Sequence, residues 1–269
     1  MPAPSELKLE HVVIRVDDLD IATRDFTSLG FNVVYGGVHG SGFTHNALIH
    51  FQDGTFFELI AFRRRLLLKT LLNSGLLNIV LKNTDNHIKY RFVEGIRFPE
   101  GFMHSALLSL DITQDTEQAN RRGLKTTKPI PFQREKPNGE TVSWNIMSPF
   151  TDALPFLRDA YVPEQKMSEA DTRHDNGALG ISSVVYAVND LAAAKSSYEQ
   201  LLGTEIAISN QDGTQRAEFK LADVSMVLLP DNAQNNSRET PIQVTLNADE
   251  NASTGQLPLE KTHSARIIL

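Results

Sequence analysis

The chain repeats itself, and that repeat limits the fold more than any other feature. Ser183 opens SVVYAVNDLAAAKSSYEQLLG, which lines up with HVVIRVDDLDIATRDFTSLG from His11. Val12, Val13, Val16, Asp18, Leu19 and Ala22 recur as Val184, Val185, Val188, Asp190, Leu191 and Ala194, with Tyr198 in place of Phe26. Each copy starts with a period-two run, so alternate side chains point to opposite faces of a strand. In the first copy Val12, Ile14 and Val16 share one face, and His11, Val13, Arg15 and Asp17 the other. Asp18 then stands at a helix N-cap, ahead of an apolar stripe of Ile21, Ala22, Phe26 and Leu29 that Gly30 stops. Strands follow over Phe31–Tyr35, His45–Phe51 and Phe56–Phe62, the last two joined at Asp53-Gly54, a hairpin signal. The unit is β-α-β-β-β. Its last strand buries one carboxylate, Glu58, in an apolar run, and a histidine, His11, opens its first strand.

The same order returns from Gly101. Phe102–Leu110 reads as a strand, Gln114–Arg122 as a helix and Leu124–Thr127 as a strand. Lys128-Pro129-Ile130-Pro131 reads as a break, and Asn138-Gly139 as a turn into a strand at Thr141–Met147. Between the two units, Arg63-Arg64-Arg65 precedes a leucine-rich run in which Leu67, Leu68, Leu71 and Leu72 fit one face of a short helix ended by Gly75. Residues 83–100 are polar and read as irregular. The third unit, after Ser183, adds strands at Thr204–Ser209, Gln215–Leu221 and Val224–Leu229, and Ile242–Leu246 with Ala265–Leu269 form a degenerate fourth. The class is α+β: repeated βαβββ modules in curved mixed sheets. The expected division is 1–163, holding modules 7–62 and 101–148, then a polar linker at 164–177, then a second domain at 178–269.

Charge and composition narrow the partners. With 26 basic against 33 acidic residues the net charge is −7, the opposite of a nucleic-acid footprint. There is no cysteine, so any metal must be held by His, carboxylate or water. No run reaches the ~20 apolar residues of a membrane span. The N-terminal MPAPSELKLE lacks a signal-peptide core, giving a cytoplasmic expectation.

LEHVVIRVDDLDIATRDFTSLGF, the segment Gly36-Gly37-Val38-His39 to His45-Asn46, ALIHFQDGTFFELIAF and SPFTDALPFL together resemble the glyoxalase-like family of the vicinal oxygen chelate superfamily. The resemblance covers roughly residues 7–160 well and the rest loosely. It implies paired units whose sheets curl into a cup, with metal ligands on first and last strands. Carried over, His11 matches the first-strand ligand and Glu58 the last-strand ligand, Glu58 also serving as base. In the second unit alternation favours Ser105 as the cup-facing residue, and a register shift of one would make it His104. The last strand there offers Trp144 and Asn145 and no carboxylate, so the expected set is His11, Glu58 and His104. Such a set suits a divalent metal: Zn, Fe, Mn or Ni. Arg15 could grip an anionic group, with an ion pair to Asp17 or Glu58 as the plain alternative. His45, Asn46 and Trp144 are candidates for substrate contact. His39 carries no assignment.

Two functions follow from that resemblance. One is a metal-dependent lyase, isomerase or dioxygenase acting on a small oxygenated substrate. The other is a metal-free protein that sequesters a small molecule in the same cup. In the third unit Ser183 replaces His11 and VSMVLL has no carboxylate, so that unit is expected to carry no metal and to cover a sheet edge or support a homodimer.

Overall fold

Period-two patterning does here what it must: every strand of the first two units has a face that cannot stay in water. The computed structural model describes residues 6–40, 42–64, 70, 73–74, 87–231 and 239–269. The first unit runs β1 (Lys8–Val16), α1 (Leu19–Ser28), β2 (Val34–His39), β3 (Thr44–His50) and β4 (Phe56–Phe62). Then come α2 (His87–Glu94), β5 (Gly101–Leu108), α3 (Ile112–Arg121), β6 (Ile130–Glu135), β7 (Thr141–Met147) and β8 (Phe156–Arg158). These eight strands close into a barrel in the order β1-β4-β3-β2-β6-β7-β8-β5. A short helix α4 (Glu169–Thr172) leads to β9 (Ala178–Val188), α5 (Leu191–Leu202), β10 (Ile208–Gln211), β11 (Thr214–Leu221), β12 (Val224–Pro230), β13 (Pro241–Ala248) and β14 (Ile267–Ile268). They form a six-stranded sheet ordered β10-β11-β12-β9-β13-β14.

An aspartate caps the first helix of each of the three units. Asp18 accepts from the backbone N–H groups of Asp20 and Ile21, Asp111 from that of Gln114, and Asp190 from that of Ala193. Such a cap stabilises a helix by about 1 kcal/mol over alanine. The alternation of β1 and β4 holds. Val12, Ile14, Val16, Phe57, Leu59 and Ala61 join one buried apolar cluster with Ala22 and Phe26 of α1. That cluster continues into the second sheet through Val184, Tyr186, Val188, Ala194 and Tyr198. The barrel's outer face and the second sheet therefore share one core, closed by Ser105 Oγ against the Tyr186 hydroxyl and by Arg122, whose Nε donates to the Gln200 carbonyl at 2.6 Å.

Several expectations give way. The strand expected at Leu124–Thr127 is only a bridge between Thr126 and Pro149, and β6 starts at Ile130, inside the expected break. Pro131 is tolerated because β6 is paired over all six residues with β7 and over only two with β2. Residues 87–97, expected to be irregular, form α2 and a 3-10 turn, since Ile88 and Phe92 find apolar partners inside the barrel that local patterning does not reveal. The helix expected at Leu67–Leu72 falls outside the described residues. Among the described residues no helix is long and apolar enough to cross a membrane.

Candidate functional site

The barrel's inner face lines a cavity of about 580 Å³, within the range that holds small organic ligands. Phe132, Ile146 and Phe156 line its wall, with Lys89, Phe92 and Val93 from α2. One end is polar. There His11, His39, Glu58, Trp144, Arg158 and Tyr161 meet.

Strand register brings the two sequence candidates together. β1 and β4 run parallel with His11 opposite Phe56 and Val13 opposite Glu58, so His11 and Glu58 are diagonal neighbours on one face. The His11 ring stacks on Phe56 at 4.6 Å, and its Nε2 lies 3.5 Å from Glu58 Oε2. His39 Nε2 stands 3.5 Å from the other oxygen, Oε1. Asn46 Nδ2 donates to that same Oε1 at 2.6 Å. Burial opposes the charge on Glu58, but His39, His11 and Asn46 outweigh it and lower its pKa to about 2.

Two β-bulges aim these groups. On β1, Leu9 pairs with Leu107 and His11 with Ala106, leaving Glu10 as the extra residue. The bulge turns Glu10 to the same side as His11. Its Oε2 lies 3.1 Å from His11 Nδ1 and 3.2 Å from Arg158 Nε. On β2, Gly36 is the extra residue between the pairs Tyr35–Ala47 and Gly37–Asn46. A Cβ at Gly36 would sit 2.3 Å from Asn46 Oδ1, displacing the amide that holds Glu58. Gly37, at φ +126°, brings its Cα so near the Glu135 carbonyl that a Cβ would lie 2.1 Å from it.

The remaining candidates lie elsewhere. His104 is buried among Phe92, Phe98 and Phe156, its Nε2 3.4 Å from the Arg91 carbonyl, and is not brought to His11 or Glu58. Ser105 points away from the cup, to Tyr186, because Ala106 is the residue that lines the cavity. Arg15 is fully buried and its Nη2 meets Asp17, the plainer of its two expected fates. His45 is half-buried with its ring toward Tyr35, and burial followed by Arg63 lowers its pKa. Asn46 contacts Glu58, and Trp144 lines the cavity.

Sequence reasoning missed Glu10, His39, Arg158 and Tyr161. His39 stood in the quoted Gly-Gly segment and could have been taken from it. Glu10 could not, because strict alternation turns it toward the core. Arg158 and Tyr161 follow an aromatic and proline-rich stretch with no period to read.

The donor set decides how well a divalent ion would suit this end. An ionised Glu10 only accepts hydrogen bonds, so His11 Nδ1 must carry the hydrogen. His11 Nε2 then faces Glu58 Oε2 across 3.5 Å, a gap that a shared proton or a metal cation would fill. Two donors each ~2.05 Å from a tetrahedral ion stand roughly 3.3 Å apart, near the 3.5 Å seen here. In kind and in pairwise spacing His11 and Glu58 fit, with His39 on the second carboxylate oxygen. Among the described residues no three or more His, Asp or Glu side chains converge around one ion-sized point.

Known proteins share this fold. A glyoxalase-like domain model matches residues 9–202. A hypothetical protein from Staphylococcus aureus is similar over 97% of this chain and 98% of its own, at 15% identity and TM-score 0.72. A Mn(II)-bound glyoxalase from Novosphingobium aromaticivorans is similar at 12% identity and TM-score 0.51, over 91% of this chain and 66% of that one. A mutant 4-hydroxymandelate synthase from Streptomyces coelicolor is similar at 13% identity and TM-score 0.55, over 93% and 72%. At these identities the likeness is one of fold. No curated protein matches the chain. The family model spans most of the sequence, and the chain belongs to the glyoxalase-like domain family, with a vicinal oxygen chelate fold.

Proposed function

We propose that this protein is an enzyme that holds a small oxygenated substrate in the barrel cavity and uses a divalent cation shared by His11 and Glu58. The observation that carries this reading is the place of His11 between two carboxylates, its Nδ1 3.1 Å from Glu10 Oε2 and its Nε2 3.5 Å from Glu58 Oε2. His39 and Asn46 hold the second oxygen, and the fold relative bound to Mn(II) makes such an ion reasonable.

The residues divide the work by their chemistry. A carboxyl with a pKa near 2 is a weak base at neutral pH, so Glu58 acts as ligand and charge anchor rather than as proton acceptor. His39, on the cavity wall with its Nε2 beside Glu58 Oε1, is the imidazole placed to carry a proton to or from a substrate. Glu10 orients His11 through Nδ1, as carboxylates orient metal-binding imidazoles elsewhere. Phe132, Ile146 and Phe156 keep water from the substrate's apolar part. A bound divalent ion would supply Lewis-acid polarisation of a substrate oxygen. Lyase, isomerase and ring- or side-chain-oxidising chemistry all share that need.

The test is elemental analysis of full-length protein purified without chelator or metal-affinity tag. Near-stoichiometric Mn, Fe, Zn or Ni is expected, lost in both His11→Ala and Glu58→Gln. Metal-free protein whose melting temperature ignores all four ions would overturn it. The second reading, a metal-free binding protein, is favoured by the absence of a convergent three-ligand set among the described residues.

A further inference from the structure

The polar end of the cavity holds a second group that the cation site does not use. Arg158 is 2% exposed and lines the cavity. Its Nε is engaged by the Asp159 carbonyl at 3.0 Å and by Glu10 at 3.2 Å. Its guanidinium carbon stands 3.8 Å from the Tyr161 ring centroid and 5.1 Å from that of Trp144, two rings set nearly perpendicular to each other. Its Nη2 is buried without any hydrogen-bond partner. A buried donor left unmade costs free energy, more so on a charged group. Beyond this polar end the wall is apolar, and the carboxylate of Glu58 is already taken by two imidazoles and an amide. Lys89, exposed beside the cavity, adds a second positive charge.

We propose that the cavity takes a monoanionic, mainly apolar carboxylate, seated with its carboxylate on the Arg158 guanidinium and its body along Phe132, Ile146 and Phe156. This rests on reading the cavity as the ligand site. A carboxylate offers the guanidinium a charged acceptor, and charge assistance roughly doubles such a bond. A single guanidinium charge, with the apolar wall beyond it, suits a singly charged head better than a dianion. The two rings and the Nε contacts hold the guanidinium at the polar end, so its charge is already in place for an anionic head.

Trp144 is the sole tryptophan and packs against this guanidinium, so its fluorescence reports occupancy whatever the protein's activity. Full-length protein is titrated with 4-phenylbutanoate and with its amide, before and after chelator treatment. The acid is expected to bind at least tenfold tighter in both states. In Arg158→Gln the acid's advantage should fall below about threefold while amide binding stays. Glu10 loses its partner in that variant, so Glu10→Gln/Arg158→Gln is measured alongside it. Equal affinity for acid and amide overturns the proposal. So does an acid preference that disappears with chelator, which would hand the carboxylate to the metal and leave the proposed function standing. A preference that persists in protein shown to hold no metal supports Arg158 and removes the cation reading instead.

Discussion

β1 with β4, and β9 with β12, are the same ladder built twice. Both pairs are parallel: His11 faces Phe56 and Val13 faces Glu58 in one, Ser183 faces Ser225 and Val185 faces Val227 in the other. Even the bulge recurs. Ser182 is skipped between the pairs Leu246–Ile181 and Thr245–Ser183, at the position that Glu10 holds in the first unit. The core-facing residues are interchangeable: Val12, Ile14 and Val16 against Val184, Tyr186 and Val188, all buried. The other face differs completely. Where the barrel has Glu10, His11 and Glu58, the second sheet has Ser182, Ser183 and Val227. Fold and site are thus written on opposite faces of the same strands, and one can be erased while the other stays.

That contrast is broken most severely by removing the polar face. Glu58→Gln and His11→Ala should each lower turnover by about 10²-fold or more and remove any metal-dependent rise in melting temperature. Ser183→Ala, at the matching place, should leave both unchanged. Equal losses at the two places would end the comparison.

Acid should act on the barrel through two buried groups, Glu58 and His50. Glu58 keeps its charge down to about pH 2 when folded against 4.5 when free. Its contribution is therefore whole above pH 4.5 and lost as pH falls toward 2. His50 acts in the same direction over a higher window: burial, then Arg134, lowers its pKa from 6.5 to about 4. The unfolded chain takes up that proton first, so stability is whole above pH 6.5 and falls between 6.5 and 4. Each window covers about 2.5 pH units, or roughly 3 kcal/mol at 1.36 kcal/mol per unit. Urea unfolding at pH 7, 5 and 3 checks both, and Glu58→Gln should flatten only the lower limb.

The seam between the halves is a smaller term. Tyr186→Phe removes the hydroxyl that meets Ser105 and should cost about 1 kcal/mol by thermal unfolding. Smallest is Ser182→Ala. It removes a hydrogen bond to the Thr245 carbonyl at 3.0 Å in a half-buried place, and should cost no more than about 0.5 kcal/mol.

The readable part of this molecule was the part governed by period. The Val12–Val16 face, the Asp18 cap and the Phe57–Ala61 face follow from spacing alone, and with them the placing of His11 and Glu58 on one side. What spacing could not give was anything set by partners distant in the chain. α2 exists because Ile88 and Phe92 are received by the barrel's inner wall. His104 is held among Phe92, Phe98 and Phe156 where Met103 interrupts the pairing of β5 with β1. Arg158 reaches the site from β8, a strand of three residues, too short to announce itself.

The bulge at Glu10 makes one site in this strand unusually forgiving of length. In a regular ladder, losing a residue reverses every side chain beyond the gap and turns a core face to the solvent. At the bulge the count is already one too many. Removing Glu10 would leave Leu9 facing the core and His11 facing the cavity, as the pairs with Leu107 and Ala106 already have them. Deletion there takes away an acid and nothing of the frame. Deleting Leu9 or Val12 would take the frame as well.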